Sequence, residues 1–144
     1  MKQTNLISNF IRMWPRAIFN TPEKIEGHRG KQPSIAMTIE ELKRPGVYIL
    51  YRDDVPFYVG KTEGKLFDRL WQHANSVGGL RTYSWNYFSA FIIEKPGYID
   101  EVEAILISAM PSIISNSSKP KLIKVKMGPS TRKLMRELRG KGLY

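Results

Sequence analysis

The sequence predicts an α+β domain: a small three-stranded antiparallel sheet flanked by helices, with basic extensions at both ends. Three observations lead there. Residues 46–51 and 55–60 are short runs of β-branched and aromatic residues separated by Arg52-Asp53-Asp54, the composition of two strands joined by a tight turn. A helical pattern follows, in which Leu66, Phe67, Leu70, Trp71 and Ala74 share one face. An aromatic-rich alternating stretch from Trp85 to Glu94 supplies a third strand.

The remaining elements fall around this core. Leu6, Ile7, Phe10, Ile11 and Trp14 have amphipathic helical spacing that Pro15 stops, so a helix is expected there. Residues 20–35 read as irregular connection, and Thr38-Ile39-Glu40-Glu41 matches a capping box that opens a short helix ending before Pro45. After the second strand, Lys61-Thr62-Glu63-Gly64 forms a loop and a helix runs from about Lys65 to Ser76. Another helix is expected from about Ile99 to Met110, ending at Pro111. The expected organisation is an N-terminal helical, basic extension over 1–44, a core over 45–117, and a basic C-terminal extension over 118–144 with a short helix.

Composition narrows the functional classes. With 144 residues the chain is long enough for one buried core. It has no cysteine, which excludes disulfides, thiolate zinc sites and a cysteine nucleophile. Asn5, Ser8, Asn9 and Arg12 interrupt the N-terminal apolar residues, so neither a signal peptide nor a membrane span is expected, and the expected location is cytoplasmic. The net charge is +10, concentrated at the ends: nine Lys/Arg against one acidic residue over 117–144, but six against eight over 46–116. Basic arms around a core of mixed sign suit a polyanionic partner, and nucleic acid, DNA in particular, is the one expected. The basic candidates are Lys119, Lys121, Lys124 and Lys126, then Arg132, Lys133, Arg136 and Arg139 on an expected helix.

Three sets of residues point to chemistry. Gly46-Val47-Tyr48 and Tyr58-Val59-Gly60 are near-mirror triplets with nine residues between the tyrosines, and a hairpin brings the two phenols together. On the first helix, Arg69 and His73 lie one turn apart at the margin of the apolar face. On the second, at about 100° per residue, Glu103 falls among Leu106, Met110 and Ile107 in the middle of an apolar stripe, whereas Glu101 faces solvent. A carboxylate in such a stripe costs several kcal/mol unless paired, protonated or bound to a cation. It therefore marks either a structural ion pair or a metal ligand.

Taken in order, the triplets, Lys61, Arg69, His73, Glu103 and Asn116 resemble the motifs of the GIY-YIG nuclease family over roughly residues 45–117. Valine stands in each triplet where the family name has isoleucine, and the stretch from Pro111 to Asn116 departs from the compact Asn-Pro-x-x-Asn often seen. The resemblance implies hydrolysis of DNA to 5′-phosphate and 3′-hydroxyl ends, restriction-like or selective for structure or strand. Glu103 would hold one Mg²⁺, with Mn²⁺ able to substitute; Arg69 would grip the scissile phosphate, and Asn116 would orient it or shape the metal site. It also implies Tyr48 as general base, its pKa lowered by Lys61, Arg69 and the metal, with Tyr58 or His73 positioning the water or relaying the proton. His73 as the base itself is chemically reasonable. The competing expectations are an inactive nucleic-acid-binding module that stacks bases on Trp85, Tyr87 or Phe88, and an RNA-associated basic protein.

Overall fold

A computed structural model describes residues 5–75, 85–110 and 128–143. Asn116, Lys119, Lys121, Lys124 and Lys126 lie outside the described residues. The class is α+β, and the sheet has four antiparallel strands in the order β1-β4-β2-β3. They span Asn9–Pro15 (β1), Gly46–Arg52 (β2), Val55–Thr62 (β3) and Tyr87–Ile92 (β4). Helices run over Leu66–Asn75 (α1), Pro96–Ala109 (α2) and Pro129–Gly140 (α3), and single 3₁₀ turns cover Arg16–Phe19, Ile35–Thr38 and Glu40–Lys43.

The fourth strand corrects the expected three. It comes from residues 9–15, where a helix was expected, so part of the 1–44 segment belongs to the sheet. The apolar spacing there does not make a buried helix face: Ile11 is buried, but Leu6, Phe10 and Trp14 remain exposed. The open edge of β4 decides the outcome, since its backbone groups need partners and Asn9 to Pro15 supplies them. A bulge between Ile11 and Trp14 puts Met13 at φ 54°, and its N–H donates to Ser89 Oγ at 3.1 Å.

The capping-box expectation is corrected in its detail. Thr38 Oγ1 donates backwards to the Ile35 carbonyl, and the next turn begins after Ile39 with no side-chain cap. The hairpin is as expected. Asp53 takes φ 57° in its turn, its N–H donates to Asn86 Oδ1 at 2.7 Å, and Asn86 Nδ2 donates back to Asp53 Oδ1 at 2.8 Å.

Strand alternation divides the interior in two. On one face Tyr48, Leu50, Phe88, Ala90 and Ile92 pack with Leu66 and Leu70 of α1, and with Phe19, Ala36 and Leu42 from the 3₁₀ turns. On the other, Val47, Ile49 and Val59 pack against Ile99, Val102 and Leu106 of α2. The sheet is thus a wall between two helices. β3 is one edge of the sheet and β1 the other.

Candidate active site

The register explains both triplets. Tyr48 lies opposite Gly60 on β3 and opposite Ala90 on β4. A Cβ on Gly60 would stand 2.8 Å from Tyr48 Cε2 and closer still to its Cζ and hydroxyl oxygen, so the glycine of the second triplet makes room for the tyrosine of the first. A Cβ on Gly46 would likewise run into the Phe91 carbonyl, with its carbon at 3.0 Å. Each glycine permits a close approach that no larger residue allows.

Tyr58 leaves the same face of the hairpin as Tyr48, with ring centroids 6.2 Å apart. His73 reaches both from α1: its ring centre is 5.5 Å from that of Tyr48 and 5.4 Å from that of Tyr58. The Tyr48 hydroxyl and His73 Nε2 share a hydrogen bond of 2.7 Å. His73 is held by its helix, whose Leu66, Leu70 and Ala74 are buried beside it, and its carbonyl accepts from Trp85 Nε1.

Burial grades the three groups. Tyr48 is fully buried and His73 nearly so, while Tyr58 is half-buried and lies on the solvent side. Burial, reinforced by the neighbouring Tyr58 hydroxyl, pushes the Tyr48 phenol well above its ordinary range, with nearby Arg69 opposing the shift. This corrects the expectation of a lowered pKa. Arg69 itself is exposed, and its Nη1 donates to Gln72 at 3.1 Å.

Lys61 belongs to a different group from the one expected. It alternates onto the opposite face of β3, where its ammonium bonds Asp100 and stands 3.6 Å from Glu103. It therefore does not lower the Tyr48 pKa. Glu103 is largely buried, its side chain 13% exposed, with a carboxylate oxygen 3.6 Å from the Lys61 ammonium. Asp100 is the member that the sequence reading missed. Its i, i+3 relation to Glu103 was the available signal, since that spacing aligns two carboxylates along one helix face.

The Asp100 and Glu103 carboxylates thus converge on one positive charge, the Lys61 ammonium. A donor set of two carboxylates fits a hard cation such as Mg²⁺, which usually takes one or two protein carboxylates and completes its shell with water and phosphate. Among the described residues there is no cluster of three or more His, Asp or Glu side chains of metal-binding arrangement. Two of the proposed stacking rings are also corrected: Trp85 and Phe88 are buried, leaving Tyr87 at the surface.

The two groups are on opposite faces of the sheet but share one strand. Tyr58 and Gly60 face α1, Val59 and Lys61 face α2, and β3 is an edge strand. Arg132, Lys133, Arg136 and Arg139 are exposed on α3, as expected of a basic helix. Comparison with family models, with curated proteins and with solved structures finds no match to this chain. No helix among the described residues is long and apolar enough to cross a membrane.

Proposed function

We propose that the chain is a divalent-metal-dependent DNA endonuclease of GIY-YIG type, working at the outer edge of β3. The observation that carries this reading is the chain of hydroxyls and imidazole behind that edge: half-buried Tyr58, buried Tyr48, and His73 bonded to Tyr48 at 2.7 Å. Such a chain can move a proton from a surface water to an imidazole, whose reference pKa near 6.5 suits a base at neutral pH.

The step divides among these side chains. Arg69, exposed beside Tyr48, grips the scissile phosphate. A water at Tyr58 gives up a proton, Tyr58 and Tyr48 each pass one on, and neutral His73 ends as imidazolium. The hydroxide so formed attacks phosphorus, the P–O3′ bond breaks, the leaving O3′ takes a proton from solvent water, and the products carry a 5′-phosphate and a 3′-hydroxyl. Asp100 and Glu103 would hold the cation, whose chemistry when bound is stabilisation of negative charge on the phosphoryl and leaving oxygens. Lys61 must then release them and turn to the phosphate.

Burial of Tyr48 favours this relay over direct contact between Tyr48 and the attacking water. The basic ends, including Arg132, Lys133, Arg136 and Arg139, supply sequence-independent grip on DNA. A second reading, nucleic-acid binding without catalysis, draws on the Lys61 ammonium lying between the two carboxylates. Cleavage of a labelled duplex and a labelled single strand, with Mg²⁺ and with EDTA, tests the proposal. Metal-dependent cutting by the wild type that is absent in His73→Ala is the expected result, and binding without any cutting would leave the second reading.

A further inference from the structure

Beyond Trp71, on the side of α1 away from the candidate active site, a groove of about 870 Å³ opens against the 20–37 segment. Trp71 borders it, with Met37, Ser34, Lys31, His28 and Asn20 among the other lining residues. Its segment wall is closed by a bridge between Pro22 and Ser34, with Glu23 N–H donating to the Pro33 carbonyl at 2.7 Å and Ile35 N–H to Thr21 at 2.8 Å.

Three features of the groove are unusual for idle surface. Trp71 is 46% exposed and Met37 51% exposed, so an indole and a thioether stand open on its walls although the helical pattern put Trp71 in the core. Ser34, whose hydroxyl is buried with no hydrogen-bond partner, also lines the groove. Lys31 adds positive charge, and the His28 ring stands beside it with Nε2 at 3.1 Å from the Lys31 carbonyl.

We propose that this groove binds an unpaired nucleotide of a DNA single strand, with its base stacked on Trp71 and its phosphate reached by Lys31. The volume falls within the range of small-ligand sites, roughly 300–1,000 Å³. Aromatic stacking with a nearby cation is how single strands are held without sequence preference. The outer surface of α1 connects groove and edge: Trp71, Gln72 and Arg69 follow one another around the helix, all three are exposed, and Arg69 bonds Gln72. A helix is about 10–12 Å across with its side chains, a distance that a few nucleotides span. The inference rests on the nuclease reading for its setting and deepens it, by making the substrate one with an unpaired strand.

The test is binding, measured in EDTA so that no cleavage intervenes. Anisotropy of a labelled oligothymidylate and of a labelled duplex of equal length is followed for the full-length wild type, Trp71→Ala, Trp71→Phe and Trp14→Ala, the last altering an exposed indole outside the groove. Trp71→Ala should lose about tenfold in single-strand affinity with duplex affinity unchanged, Trp71→Phe should keep most of it, and Trp14→Ala should match the wild type. Equal loss on both DNAs, no loss on the single strand, or equal loss in Trp14→Ala overturns the groove. Metal-dependent cleavage is scored separately on Glu103→Gln. Single-strand binding through Trp71 without cutting by the wild type would sink the nuclease and leave the groove standing.

Discussion

Tyr48 on the second strand and His73 on the first helix, 25 residues apart in sequence, share a buried hydrogen bond of 2.7 Å. The bond couples the inner strand of the hairpin to the helix packed on it. It also gives the phenol a basic partner on its dry side.

The pH profile of cleavage should report His73. If the proton ends on imidazole, log rate rises with unit slope at acid pH and levels off once the imidazole is neutral, well short of the alkaline range in which a tyrosine ionises. A rise continuing without a plateau to about pH 10 would instead make a tyrosine the terminal base. Single-turnover rates across that range decide between them.

Tyr48 should resist alkaline titration. Its pKa is raised, so the neutral phenol is favoured in the fold; the stability this contributes is complete below about pH 10, the unfolded value, and is lost as pH rises towards the folded one. Absorbance of phenolate should show one tyrosine ionising only as the far-ultraviolet dichroism collapses. In Tyr48→Phe that late component should vanish, and stability at neutral pH should fall by about 1–3 kcal/mol because His73 Nε2 loses its partner.

Gly60→Ala should destabilise the hairpin. The added methyl overlaps the end of the Tyr48 ring, a form of overpacking worth about 1–3 kcal/mol or more. Tyr48→Leu, which removes the end of that ring, should absorb most of the penalty in the double variant. Urea melts of the four proteins measure the coupling, and strict additivity would mean that the clash is not what fixes this position.

The carboxylates should set the metal requirement. Glu103→Gln is expected to lower cleavage by about 10²-fold or more, the scale on which losing an electrostatic stabiliser of the transition state is felt. Asp100→Asn should raise the Mg²⁺ concentration needed for half-maximal rate. Unchanged magnesium dependence in Asp100→Asn would confine Asp100 to its ion pair with Lys61.

Removal of residues 118–144 should weaken DNA binding and flatten its salt dependence. That segment carries nine Lys/Arg and one acidic residue. Because the slope of log affinity against log salt is about −0.9 per phosphate neutralised, a fall in its magnitude of several units is expected. An unchanged slope would move the DNA contacts elsewhere.

The hairpin, the central strand β4 and helices α1 and α2 were legible because each carries a local signal: turn residues at Asp53-Asp54, alternation in β4, and a 3.6-residue period in α1. The first strand was not, because its apolar spacing fits a helix and only pairing with β4 converts it. Likewise the exposure of Trp71 could not be read from a helical wheel. A wheel assigns faces, but whether a neighbour covers a given edge is decided by the 20–37 segment.

For the site, the sequence alone determined the residue types and their approximate partners. Tyr48 and Tyr58 meet because nine residues separate them in a hairpin, and His73 follows on the next helix. Only the tertiary structure decided how these groups are divided. Strand alternation put Lys61 across the sheet with Asp100 and Glu103, and burial under α1 raised the Tyr48 pKa where a lowered one was expected. Alternation was implicit in the chain, but solvation and ion pairing depend on what packs above each face, and that is fixed by segments distant in sequence.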